Sequence, residues 1–254
     1  SLVSHMPGAV EIVVVVPDRD LGLLSDRLGT LLRSTKLHLV AEKALLPHDG
    51  ASHRMQETYT HSLADTYCRG KYIFHMQPDS VLVRKIYHKD LFFAFKPIMW
   101  YSDSSRPANE WWREGTSSAL GEAGKLHALG RTPGRCREHV VPRGAYPQLR
   151  AHIQRIHNRS FESFLRTRVA ASKTCMLEDS VSKCFPGHHE RHANSAYSHA
   201  IIMGTFILTH MQNATSCVPL AQSSDYTRQA LVPVVTPFVS TRASLAHRRQ
   251  NNLG

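Results

Sequence analysis

The stretch Glu11-Ile12-Val13-Val14-Val15-Val16-Pro17 decides the fold class. A continuous β-branched run closed by Pro17 and Asp18 is the pattern of a strand buried on both faces of a parallel sheet. After Asp18-Arg19-Asp20, residues Leu21, Leu24, Leu28, Leu31 and Leu32 are spaced for one face of a short helix, whose propensity Gly22 and Gly29 lower. Leu37-His38-Leu39-Val40 reads as a second strand. From His53 to Tyr67 the residues Met55, Tyr59, Leu63 and Tyr67 recur every fourth position, which predicts one helix with one buried stripe, ended by Gly70. Tyr72-Ile73-Phe74-His75-Met76 is the next strand. It runs into a polar corner, Gln77-Pro78-Asp79-Ser80, before Val81-Leu82-Val83 resumes.

Further on, Pro97-Ile98-Met99-Trp100-Tyr101 reads as a strand, and the polar, glycine-bearing stretch from Ser102 to Gly134 predicts only a turn of helix near Trp111-Trp112. Pro147 is tolerated in a first helical turn, and Leu149, Ile153 and Ile156 carry an apolar stripe to His157. Asn158 suits a left-handed cap, and Ser160 suits the start of a helix filled inward by Phe161, Phe164 and Leu165. The run from Ile201 to Leu208 is read as a last strand. Strands alternating with helices predict an α/β fold, a Rossmann-like mixed sheet flanked by helices.

With 254 residues, 42% of them hydrophobic and 20% charged, the chain can bury a large core, and wholesale disorder is excluded. One domain is expected over 9–224, followed by a loosely ordered basic tail over 225–254. Residues 1–8 contain Ser4-His5-Met6, which reads as a vector scar or a disordered start rather than a signal peptide. Ile12 to Val16 and Ile201 to Leu208 fall short of the roughly 20 apolar residues that cross a bilayer, so no membrane span is expected. Two sequons, Asn158-Arg159-Ser160 and Asn213-Ala214-Thr215, matter only in a secretory lumen and do not choose between the Golgi lumen and the cytoplasm. Five cysteines without a CxxC pair give neither a disulfide framework nor a zinc ribbon. The 31 Lys and Arg against 20 Asp and Glu favour anionic partners.

In open α/β sheets ligands bind beyond the carboxyl ends of strands, which draws attention to Asp79. The helix with its early Gln56, the strand from Lys71, and the corner running to Arg84 resemble the helix, strand and DxD corner of nucleotide-sugar transferases with the glycosyltransferase-A fold. More narrowly they are similar to a poorly characterised DxD subgroup of that superfamily. The resemblance continues through Asp90-Leu91-Phe92, the strand Lys96 to Tyr101 and the segment Pro142 to Leu165, about half the chain. It implies transfer of a sugar from a nucleoside diphosphate donor to a hydroxyl acceptor, assisted by Mn2+ or Mg2+. Asp79 and Gln77 would hold the metal, His188 would stand in for the family's late metal-binding histidine, and Gln56, Gln77, Arg84, Arg143 and Trp111 would contact the donor. Glu178 or Asp179 would orient or deprotonate the acceptor.

The chain departs from that family in three places. Its corner is Gln77-Pro78-Asp79 where the family has Asp-x-Asp, so one charged oxygen ligand is replaced by an amide and metal affinity is weakened. Its first strand is more like the family's second. The late acidic and histidine residues, Glu178, Asp179, His188, His189 and His192, align only by region. Against these roles stand plain ones: Asp79 as a turn carboxylate, and the tryptophans as core or rim residues.

The window Arg131 to Arg168 holds nine arginines and two glutamates. Either this is a solvated face, or Arg131, Arg135, Arg137 and Arg143 neutralise a diphosphate in place of the missing carboxylate. A non-catalytic module using this window to bind nucleic acid or another polyanion is the alternative function. His188-His189-Glu190-Arg191-His192 is not a zinc-protease motif, because Ala193 stands where HExxH needs its second histidine. His188 and His192 alone are too few to make a zinc site.

Overall fold

The computed structural model describes residues 9, 11–34, 36–45, 53–76, 80–82, 85–103, 110–121, 131–133, 139–167, 199–211, 213–219 and 231–233. They form a mixture of helices and small sheets, an α/β arrangement in the broad sense. Strand β1 (Ile12–Val16) is followed by helix α1 (Asp18–Ser34) and strand β2 (Leu37–Ala41), and the two strands pair in parallel from Ile12 opposite Leu37 to Val16 opposite Ala41. The helix is longer than its leucine spacing required. β1 is not buried on both faces: only Val16 is buried, and Val14 is 36% exposed. The β-branched run sets the strand, but among the described residues β1 pairs with β2 alone, and α1 packs on that pair.

The expected helix from His53 to Tyr67 is broken at Leu63 into α2 (His53–Ser62) and α3 (Ala64–Tyr67). Its stripe survives, with Met55 and Tyr59 buried and Leu63 packed against the core. The chain then enters β3 (Tyr72–His75), which pairs antiparallel with β8 (His139–Pro142), Tyr72 opposite Pro142 and His75 opposite His139. β8 escaped the sequence reading because Val140-Val141 is too short a run to stand out. β4 (Ser80–Leu82) pairs antiparallel with β10 (Leu231–Pro233).

After α4 (His88–Leu91), strand β5 (Phe92–Phe93) turns back antiparallel onto β6 (Lys96–Asp103). The two turn residues, Ala94 and Phe95, have φ of 47° and 62°. Both lack the glycine or asparagine that such left-handed positions favour. β6 also pairs antiparallel with β7 (Arg131–Pro133) and in parallel with β9 (Ser216–Pro219). Helix α5 (Glu110–Leu120), placed where a helical turn was expected, ends at Gly121 with φ 65°. The left-handed backbone there favours glycine, and a Cβ would lie 2.9 Å from the Ile156 side chain, which would have to shift.

α6 (Ala145–His157) buries Leu149 and Ile153 and ends on Asn158 in the left-handed region, as its sequence predicts. Ser160 Oγ accepts from the Ser163 amide at 3.1 Å and starts α7 over 161–167, with Phe161, Phe164 and Leu165 buried. The run from Ile201 to Leu208 is not a strand. It belongs to α8 (His199–His210), in which every residue from Ile201 to Ile207 is buried. A short apolar run cannot by itself separate a buried strand from a helix surrounded by protein. Here the surroundings are α2, α5, α6 and β7, all packed on α8. Among the described residues, no helix is long and apolar enough to cross a membrane.

Two stability outcomes follow. Ile207→Ala should cost about 2–5 kcal/mol in chemical denaturation, whereas Leu23→Ala, at a 56% exposed site, should stay within about 0.5 kcal/mol. Replacing Phe95, which is 87% exposed, by Gly should raise stability by roughly 1 kcal/mol through relief of its left-handed backbone.

Candidate functional site

Of the residues expected to act, Gln77, Asp79, Arg84, Glu178, Asp179 and His188 lie outside the described residues. Trp111 lies on α5. Gln56 and Arg143 are described, and neither side chain stands idle. Gln56 Oε1 accepts from the Leu45 amide at 2.8 Å, while its Nε2 donates to the Lys43 carbonyl at 2.9 Å and to Thr60 Oγ1 at 3.2 Å. The amide therefore clips the chain leaving β2 onto α2. Arg143 donates to the carbonyls of Asp65 and Arg69 at 3.2 and 3.3 Å, and its own amide donates to the Lys71 carbonyl at 2.9 Å. This fastens the entry of β3. The chain leaves that strand toward Gln77 from the other end, at His75.

Arg135 and Arg137 also lie outside the described residues, as does the side chain of Arg131, while four further arginines of the window are engaged within the protein. Arg150 forms a two-pronged pair with Asp65, at 2.6 and 2.8 Å, and also donates to the Ser62 carbonyl at 2.5 Å. With side chains 22% and 13% exposed, this pair ties α6 to the α2–α3 break rather than facing solvent. Arg166 joins Glu162 at 2.5 Å and the Leu45 carbonyl at 3.0 Å. Arg159 donates to the His157 carbonyl and Thr167 Oγ1, and Arg155 lies 3.1 Å from His152 Nδ1. Cys68 is a free thiol whose pKa burial, and then Glu11, pushes up to about 11, so it is a poor nucleophile at neutral pH.

The concentration of chemistry that sequence reasoning missed is a set of histidines. His61 on α2, His75 on β3, His139 on β8 and His199 on α8 converge, and Tyr146 of α6 closes the group. His75 and His139 stack with centroids 4.8 Å apart and planes at 16°, and His199 lies 5.1 and 5.6 Å from them. One ring nitrogen from each of these three falls within 4.8 Å of the others. His75 and His199 are 7% and 4% exposed.

The Tyr146 hydroxyl meets His75 Nε2. Ser62 Oγ donates its single proton to the Thr58 carbonyl at 2.7 Å, so toward His199 Nδ1, at 3.4 Å, it can only accept. Nδ1 of His199 therefore carries the ring proton, and Nε2 is a bare lone pair, buried without a hydrogen-bond partner.

Burial, reinforced by the neighbouring rings, holds His75 and His199 well below the usual histidine value. Burial also lowers His61, against the upward pull of Glu57 and Glu42, and it raises Tyr146. His61, His75 and His199 are thus held as neutral imidazoles. Nothing in the local sequence marks it, because its members come from four separate elements and the only signal was a total of 17 histidines.

An acid-sensitive fold is the consequence. The unfolded chain takes up protons on His61, His75 and His199 below about pH 6.5, and the folded chain refuses them, so stability falls as pH drops from that point toward the lowered folded values. Each histidine contributes up to about 1.4 kcal/mol per pH unit in that window. Urea midpoints measured between pH 7.5 and 5.5 should fall, and His199→Gln should flatten the dependence; an unchanged slope would place the acid sensitivity elsewhere. In comparisons with known proteins, no protein-family model, no curated protein and no solved structure matches this chain.

Proposed function

We propose that the chain is a glycosyltransferase-A-like module on a Rossmann-like plan, binding a nucleoside diphosphate sugar and transferring the sugar to a hydroxyl acceptor. The observation that carries this reading is the course of the chain around the corner. The parallel β1–α1–β2 unit comes first, then α2 and α3 lead into β3, whose far end hands the chain to Gln77-Pro78-Asp79 and on to β4. Ligands of α/β folds gather where strands end. One carboxylate and one amide are oxygen donors of the kind a hard cation takes, so Asp79 and Gln77 fit Mn2+ or Mg2+, with one negative charge fewer than a pair of aspartates. When bound, such a cation neutralises the departing diphosphate.

On this reading Asp79 holds the donor end of the site, and Glu178 or Asp179 orients or deprotonates the acceptor hydroxyl. On this reading Gln56 also clips the chain after β2, and Arg143 also fastens the entry of β3 through its Nε and Nη1. Part of the arginine window has structural work of its own. Arg143, Arg150, Arg159 and Arg166 all donate to acceptors of the protein itself.

Thermal unfolding of the chain with UDP, GDP, CDP and their common sugars, each with and without Mn2+, tests the reading. A shift selective for one base and dependent on Mn2+ is expected, and Asp79→Ala should remove both the shift and turnover. A flat panel overturns the proposal.

A further inference from the structure

We infer that His75, His139 and His199 form a binding site for one divalent transition-metal ion of the Zn2+ class, held inside the fold between β3, β8 and the first turn of α8. Its three ligands are not among the residues assigned to the Asp79 corner, and the inference does not rest on that assignment. Three observations carry it.

The first is convergence: three ring nitrogens, from three elements, fall within 4.8 Å of one another. Zinc–nitrogen bonds of 2.0–2.1 Å in a tetrahedron set ligand nitrogens about 3.4 Å apart, so closing on an ion requires movements of roughly 1 Å. The second is the bare Nε2 of His199, a lone pair in a position only 4% exposed with no hydrogen bond to satisfy it. A buried polar atom left so costs about 1–3 kcal/mol, a cost that coordination removes. The third is the outer contacts. Ser62 fixes the tautomer of His199, and Tyr146 takes Nε2 of His75; a ligating imidazole is oriented in this way through its second nitrogen.

The donor set selects the metal. Three imidazoles suit Zn2+, Co2+, Ni2+ or Cu2+, whereas Mg2+ and Mn2+ prefer oxygen ligands. Because His75 and His139 are stacked nearly parallel, their in-plane lone pairs do not meet at one point until one ring turns. His139, the first residue of β8, is the least buried of the three residues and is the ring that would turn. Three protein ligands leave a fourth tetrahedral position.

The test uses the full chain, stripped with a chelator and titrated with Co2+ as a spectroscopic probe, then competed with Zn2+. Expected are the intense visible bands of tetrahedral Co2+ at one equivalent, displacement by Zn2+, a raised melting temperature with Zn2+, and none of these with Mg2+. Loss of an outer contact costs a metal site about 10–100-fold in affinity. His139→Gln and His199→Gln each remove a ligand and should weaken Co2+ binding by more than that range, with far-UV circular dichroism confirming the fold. His38→Gln, on β2 and away from the cluster, should bind as the parent does. Absence of the bands, or equal binding by the His199→Gln and His38→Gln variants, overturns the inference. Both readouts are independent of sugar transfer, so a flat nucleotide panel leaves this result standing and the converse also holds.

Discussion

A helix that is apolar on every side has to be surrounded, and α8 imposes that requirement on the rest of the chain. Ile201, Ile202, Met203, Phe206 and Ile207 are each at most 4% exposed, and α2, α5, α6 and β7 supply the surroundings. Full burial of such side chains is worth about 1.5–3 kcal/mol apiece, so no arrangement that left one side of α8 open would compete. The smaller fastenings serve this enclosure. The Arg150–Asp65 pair holds α6 against the α2–α3 break, and Gln56 and Arg166 hold the chain around Leu45, itself fully buried, onto α2 and α7. Glu162, which receives Arg166, also accepts from the Tyr59 hydroxyl at 3.2 Å and joins α7 to α2.

The same enclosure explains why polar groups are found at its edge. α8 begins with His199, so the first turn of the most apolar helix brings an imidazole into the space where β3 and β8 end. A carboxylate beside it would favour a charged ring; instead burial, and then the neighbouring imidazoles His61 and His139, keep His199 neutral, with Ser62 and Tyr146 as its other contacts. An apolar side chain at 199 would cost less to bury. The histidine is therefore a departure from the local rule of the helix that carries it.

Local patterns were legible in the sequence wherever one residue type has one structural use. Asn158 in the left-handed cap, Ser160 at the start of α7, and the Met55–Tyr59 stripe were all readable from spacing and chemistry alone. What depended on neighbours was not. The valines of β1 promised burial on both faces, yet burial is decided by what packs against a strand, and Val14 is left partly open. The run from Ile201 is helical because protein encloses it on all sides. Arg143 looked like a phosphate ligand because a guanidinium fits phosphate oxygens, but it fits a backbone carbonyl as well, and the fold brought two of those first. The histidine group was invisible because no two of its members are neighbours in sequence.

That separation along the chain also bears on the order in which the molecule assembles. β1, α1 and β2 lie within Ile12 to Ala41 and can find one another by closing a short loop. The contact between Ser62 and His199 spans 137 positions, and the one between His75 and Tyr146 spans 71. Contacts of that reach repay the entropy of loop closure only after much of the intervening chain has condensed. The histidine group is therefore a late product of folding, and its completion reports that both ends of the core have met.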